Sequence, residues 1–230
     1  LPDGVIQKAY DCFASPYRVV FVADATRDGY AALNTRHNFT VVRNGLDRTR
    51  IEQASREWSP AQARKSIGAC EGEVVILLLG TVCPRKGQQD LVKALSQLSP
   101  DLQARVRCYI VGDRPSEYSA ELHALAAQLP PELRSRVHLI PETRDTTRYY
   151  RAADLFVCTS KLESYPRVVL EAMAYGLPIV TTPVFGIREQ VREGVNALFY
   201  DAGDSGALAD RLRCVLQDEA LRARLASTSA

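Results

Sequence analysis

Short apolar runs alternate with amphipathic stretches along the chain, and from Val74 onward the alternation is regular. The run Val74–Leu79 ends at Gly80 and reads as a buried strand, because six consecutive apolar residues suit a strand covered on both faces. Leu91, Ala94, Leu95 and Leu98 follow at helical spacing. Residues 106–111 predict the next strand, closed by Gly112 and Asp113, and residues 118–129 predict a helix that stops before Pro130 and Pro131. Residues 137–140 read as a strand, residues 146–153 as a helix and Leu155–Cys158 as a strand. Beyond these come a short helix over 187–191, an edge strand over 197–200 and an amphipathic helix over 207–217. Strands alternating with helices predict an α/β fold built on a doubly wound parallel sheet. Ahead of Val74 the pattern is shorter: a helix over 1–13, an apolar run over 17–23, a helix over 26–33 and a strand over 39–42 that ends at the turn signal Asn44-Gly45.

The stretch 153–182 carries the most chemistry. Its strand ends in the polar residues Thr159, Ser160 and Lys161, and Glu163 follows on the loop. A helix is expected from Pro166, since proline presets the backbone of a first turn and has no N–H to leave unsatisfied, with Ser164 as its N-cap. Val168, Val169, Ala172 and Met173 form one stripe, Arg167, Glu171 and Tyr175 the opposite one, and Gly176 and Pro178 stop the helix. A strand, a loop and a helix start make an anion site, because unpaired N–H groups and the positive dipole end face the crevice. A diphosphate suits such a place. Glu163 and Glu171 would flank it, and a carboxylate can accept from the adjacent hydroxyls of a ribose. Two glutamates eight positions apart are by themselves ordinary solvated helix residues; around a phosphate site they point to a nucleotide sugar. The turn over 80–87 adds two cations, Arg85 and Lys86, at the carboxyl end of a strand, where open α/β sheets bind ligands. It lacks the Gly-Lys-Ser/Thr order of a P-loop, and the chain has no Gly-x-Gly-x-x-Gly after a strand, which argues against a dehydrogenase.

Composition narrows the picture. The 230 residues are 46% hydrophobic and 24% charged, those of an ordinary globular protein, and a net charge of +2 gives no general attraction to nucleic acid. The six cysteines form no Cys-x-x-Cys pair and read as small buried thiols of a reducing compartment. His37, His123 and His138 are scattered, without zinc-ligand spacing. No apolar run approaches the roughly 20 residues that cross a bilayer.

Glu163, Glu171-Ala172-Met173-Ala174, Gly176 and Pro178 together form a frame that resembles the C-terminal, donor-binding domain of retaining glycosyltransferases of family four. The resemblance implies a Rossmann-like domain, one half of a GT-B architecture. Arg43-Asn44-Gly45-Leu46-Asp47 is similar to the family's interdomain junction, so residues 1–45 are expected to be a remnant of the N-terminal domain and 46–230 the nucleotide-sugar-binding domain. An acceptor-binding domain of about 150 residues would then lie outside a fragment inactive alone. Lys86 falls on the family lysine, Thr81 stands where an arginine is usual, and Arg85, in the turn opened by Gly80, is expected to supply the second cation. The backbone N–H groups of Ser164 and Tyr165 would meet the phosphates, Val168 and Glu171 the ribose, and Glu142 and Thr143 the base of a UDP- or GDP-type donor. Lys86 and Glu163 are the expected catalytic pair, the lysine stabilising the leaving diphosphate and the glutamate holding sugar hydroxyls beside the developing oxocarbenium ion. Gly186 and Glu189 resemble the family's Gly-x-x-Glu, with Phe185 in place of a second glycine and expected to narrow the sugar pocket. Neither metal nor cofactor is implied. The expected partners are a nucleotide-sugar donor and an unidentified acceptor, with no nucleic acid, a cytoplasmic location, and membrane association only through the absent domain. A GT-B sugar-nucleotide epimerase and a non-catalytic sugar-nucleotide-binding module share these features.

Overall fold

The computed structural model describes residues 11–13 and 17–228, apart from the side chain of Arg50. The helix expected over 1–13 lies outside the described residues except for 11–13, which are helical. Strand β1 (Val19–Phe21), helix α1 (Asp24–Asp28) and strand β2 (Phe39–Val41) come first, and among the described residues β1 pairs, in parallel, only with β2. The single helix expected over 26–33 is instead α1 followed by one 3-10 turn at Ala31–Leu33, because the chain breaks at Gly29 and Tyr30. Phe13, Phe21, Tyr30 and Phe39 pack edge-on and tilted on one side of this small sheet.

Helices α2 (Arg48–Glu57) and α3 (Pro60–Ile67) lead into β3 (Val74–Leu79). Ser59 caps α3: its Oγ accepts from the Gln62 N–H, the Gln62 side chain accepts from the Ser59 N–H, and Pro60 fills the first helical position. The chain continues through α4 (Gln88–Ser96), α5 (Pro100–Arg105), β4 (Val106–Asp113), α6 (Glu117–Ala127), α7 (Pro131–Arg134) and β5 (Val137–Pro141). It then adds α8 (Thr147–Ala152), β6 (Leu155–Cys158), α9 (Arg167–Ala174), β7 (Ile179–Thr181), α10 (Ile187–Gln190), β8 (Ala197–Phe199), α11 (Ser205–Gln217) and α12 (Glu219–Ser227).

Strands β3 to β8 form one all-parallel sheet in the order β5-β4-β3-β6-β7-β8, with β8 at the edge. Successive residues of β3 point to opposite faces. Ile76 and Leu78 join Leu91, Leu95, Leu122, Leu212 and Val215 on one side, while Val75 and Leu77 join Tyr149, Tyr150, Val169 and Ile187 on the other. Both faces are covered by helices, which is why β3 is apolar at every position. Fully burying a side chain such as Ile76 or Leu77 stabilises the fold by about 1.5–3 kcal/mol each. The chain runs outward from β3 through β4 and β5, then crosses back to start again at β6, so the order reverses between β3 and β6. At such a reversal the flanking loops part and leave a crevice at the carboxyl ends of the strands.

Two local expectations change. Helix α9 starts at Arg167, with Pro166 as its N-cap at φ −68° and ψ 125°, so Ser164 is not the cap and stays in the loop. The thiols are free, but among the described residues only Cys108 and Cys158 are buried, while Cys12, Cys70 and Cys214 are exposed.

Candidate functional site

The turn after β3 and the loop after β6 meet at the sheet reversal. Residues 84–86 make a single 3-10 turn, and Gly87 follows at φ 65°, a left-handed conformation that glycine adopts without strain. Space also requires glycine there, since a Cβ would lie 2.6 Å from the Thr159 carbonyl oxygen. Thr159 Oγ1 donates to the Lys86 carbonyl at 2.6 Å, and the Lys161 N–H donates to the Arg85 carbonyl at 2.8 Å. The cationic turn is thereby fastened to the loop that carries Glu163.

Glu163 is buried to 9% exposure and reaches back to that turn. Its Oε1 lies 2.5 Å from Lys86 Nζ, accepts from Arg85 Nη1 at 2.7 Å and accepts from Ser160 Oγ at 3.2 Å. Arg85 also donates to the Leu162 carbonyl. The Lys86 side chain lies over Gly80, where a Cβ would come within 3.5 Å of Lys86 Cε. Lys86, Arg85 and Glu163, singled out from sequence, are therefore one cluster. Thr81 is exposed beside it, its carbonyl accepting from Gln88 Nε2 at 3.0 Å. Among the described residues the N–H groups of Ser164 and Tyr165 meet no acceptor, and both precede the first turn of α9.

Glu171 takes a different place. It lines a cavity of about 160 Å³ together with Arg144, Thr146, Tyr150, Arg167 and Tyr175. Its Oε2 accepts from the Tyr150 hydroxyl at 2.9 Å, and the Tyr150 ring stacks on Tyr175 with centroids 5.0 Å apart. Burial, and then the Glu171 carboxylate, push the Tyr150 phenol well above its ordinary pKa, so it stays a donor. Val168 is half-buried on α9 and its carbonyl lies 3.4 Å from the same hydroxyl. Glu142 is exposed and ion-paired with Arg114, an interaction that holds its carboxyl below the usual carboxylate range. Thr143 Oγ1 accepts from the Asp145 N–H. Lys86 and Glu163 thus share a cluster at the reversal, Glu171 lies along α9 from it, and Glu142 and Thr143 follow β5 at the same edge of the sheet.

Several contributors escaped the sequence reading. Asn44, read as part of a turn and of the junction but not as a contact to the site, donates from Nδ2 to the Tyr165 carbonyl at 2.8 Å and ties the junction to the Glu163 loop. Thr182 Oγ1 donates to the Ser160 carbonyl at 2.5 Å and joins the end of β7 to the same loop. Tyr150 orients Glu171. Nothing local in sequence marks these partners. Gly186 had been noted, and its reason is now visible: a Cβ there would lie 1.7 Å from the Ser164 carbonyl oxygen. Among the described residues no group of three or more His, Cys, Asp or Glu side chains is placed to hold a metal ion.

Comparison with known proteins fits this geometry. The family described as glycosyl transferases group 1 matches residues 61–230. A D-inositol 3-phosphate glycosyltransferase of Xylanimonas cellulosilytica is 37% identical over 166 residues, 71% of this chain and 39% of that protein. The enzyme of the same name from Salinispora arenicola is 36% identical over 212 residues, 86% of this chain and 46% of its own length. The chain thus spans less than half the length of these curated relatives. Among solved structures, Anabaena HepE in complex with UDP and glucose superposes with a TM-score of 0.87 at 25% identity, covering all of this chain and 61% of that one. The C-terminal domain of a group 1 glycosyl transferase (LpcC) from Francisella tularensis shares the fold, with a TM-score of 0.68 at 21% identity over 80% of this chain and 94% of its own. With a doubly wound parallel sheet, the fold of GT-B glycosyltransferases, and a family match over most of its length, the chain belongs to the glycosyl transferases group 1 family.

Proposed function

We propose that this chain forms the donor site of a retaining glycosyltransferase that moves a sugar from an α-linked nucleoside diphosphate sugar to an acceptor hydroxyl. The observation that carries the reading is the convergence of Arg85 and Lys86 on one oxygen of Glu163 at the sheet reversal. Two cations and the N–H groups of Ser164 and Tyr165 suit the diphosphate, with Gly80 and Thr81 closing the turn beside it. Glu163 stands at the far side of those cations, where it would accept from hydroxyls of the sugar. Glu171, oriented by Tyr150, would take the ribose beside Val168, with Glu142 and Thr143 toward the base. UDP in HepE supports a uridine-type donor.

In the reaction the bond from the anomeric carbon to the diphosphate oxygen breaks, a bond from the acceptor oxygen forms with the configuration kept, and the acceptor hydroxyl's proton passes to the leaving diphosphate. Charge builds on the leaving diphosphate, where Lys86 and Arg85 stabilise it, while the negative Glu163 favours the positive sugar carbon. Holding donor and acceptor together requires a second wall facing this edge of the sheet, so this chain alone would bind donor and transfer little. The test is sugar transfer from a panel of UDP- and GDP-sugars by the full-length protein and its Lys86→Ala variant. Loss of about 10²–10³-fold in kcat is the expected result for removing one group that stabilises the transition-state charge. Near-normal turnover in the variant, or donor isomerisation without transfer, would overturn the reading.

A further inference from the structure

The loop between β7 and α10 holds a residue whose geometry the donor site does not explain. Phe185 has φ 42°, a left-handed backbone that bulky side chains rarely adopt, and it is 46% exposed. Burial therefore does not compensate for the strain. The turn around it is closed from three sides: Arg188 Nε donates to the Pro183 carbonyl at 2.7 Å, the Arg188 N–H to the Phe185 carbonyl, and the Ile187 N–H to the Val184 carbonyl. The next residue, Gly186, sits with its Cα packed against the Ser164 carbonyl and Ala23. Phe185 is thus one residue from direct contact with the loop that carries Glu163, on a support that cannot shift away. Strained residues held by their surroundings cluster where ligands bind.

We propose that Phe185 is a specificity-determining residue for the sugar of the donor, its ring forming an apolar wall beyond the diphosphate and beside Glu163. This rests on the donor-site reading above. A pyranose presents polar hydroxyls at its rim and a patch of C–H bonds on its face. Glu163 suits the rim, and a phenyl ring suits the C–H face while blocking bulky substituents on that side. The ring therefore limits which sugars fit, and it leaves the nucleoside diphosphate untouched.

The position lends itself to a clean test, because glycine accommodates φ 42° without strain and the side chain is half-exposed, so Phe185→Gly keeps the fold. In the full-length protein, kcat/KM is measured for UDP-sugars that differ in ring substituents, alongside calorimetric binding of UDP alone. Phe185→Gly is expected to shift the ratio of kcat/KM between a bulky and a small sugar by about tenfold or more, the range that changes in pocket fit produce. UDP binding should stay within about twofold of the parent, and Phe185→Leu, which keeps apolar bulk, should retain most of the original preference. Unchanged ratios in Phe185→Gly with intact UDP binding would overturn the role of Phe185 alone. Absence of UDP and other nucleoside diphosphate binding in the parent protein would overturn the donor-site reading and this inference with it.

Discussion

On the proposed donor-site reading, Glu163 would compete with the diphosphate for the cations that bind it. Its Oε1 is shared by Lys86 at 2.5 Å and Arg85 at 2.7 Å, the two cations that a diphosphate needs. Near a protein surface unit charges at such distances attract by about 6 kcal/mol before desolvation and solvent screening, so a diphosphate would have to displace or outweigh the carboxylate. Glu163→Gln removes the competing charge and keeps the shape. Binding of free UDP, measured by calorimetry, is therefore expected to tighten by several-fold to about tenfold, while kcat falls by about 10²-fold because the sugar carbon loses a negative neighbour. Weaker UDP binding in that variant would reject the competition. Lys86 and Glu163 were both singled out in sequence, each at the end of a strand, but their direct ion pair was not foreseen. Nor were the partners that orient the site. Tyr150 reaches Glu171 across 21 positions and Asn44 reaches Tyr165 across 121, and no spacing rule marks a bond between residues so far apart.

Strands and helices differ in how plainly they announce themselves. Most strands of the large sheet were visible because a parallel strand covered on both faces is mainly apolar, Val74–Leu79 being so at every position. Helix α2 was not, because nearly all its side chains are exposed or half-buried and its stretch lacks an apolar stripe. Helix α3 did carry a sign, the order Ser59-Pro60-x-Gln62 of a capping box. Polar side chains at the amino ends of β3, β4 and β5 also escaped notice, and they hold that edge together. Glu73 accepts from Arg107 Nε at 2.6 Å, Arg107 Nη2 at 2.9 Å, Arg136 Nη1 at 2.6 Å and the Cys70 N–H at 2.8 Å. The Arg107 hydrogen bond above all lowers its pKa to about 2. A depressed pKa in the folded state means stability that is complete above the unfolded value, about 4.5, and that drains away as pH falls through the folded value. With allowance for solvent screening at this sheet end, the contribution is about 1–3 kcal/mol. Glu73→Gln should lose about that much in urea unfolding near pH 7, and the gap to the parent should narrow on approaching pH 2. A gap independent of pH would show that the carboxylate charge is not what stabilises this edge.

On the scale of the molecule, the small β1-α1-β2 unit is attached to the large sheet at the loops that build the site. Glu189, at the third position of α10, accepts from the N–H of Asp24 at 3.1 Å, the N–H of Ala25 at 2.8 Å and Arg43 Nη2 at 3.1 Å. It closes the first turn of α1 as an N-cap side chain would, but from another element of the chain. Burial raises its pKa, and the hydrogen bonds from Ala25, Asp24 and Arg43 outweigh that, leaving it below the ordinary carboxylate range. The attachment is thus intact at neutral pH and weakens only as pH falls through that lowered value. Ala23 packs against Gly186, and Asn44 holds the Tyr165 carbonyl, so the same contacts that fasten the small unit also fix the loop of Glu163. Glu189→Ala removes the acceptor of two backbone amides at once. Hydrogen exchange at the amides of Asp24 and Ala25 is expected to accelerate by about tenfold or more, the equivalent of one to two lost hydrogen bonds, while amides of β3 and β6 keep their protection. If the two amides exchange no faster in the variant, Glu189 is not the fastening and the small unit is held by its apolar contacts instead. If β3 and β6 lose protection as well, the unit and the sheet unfold together, and the carboxylate supports the whole fold rather than one junction.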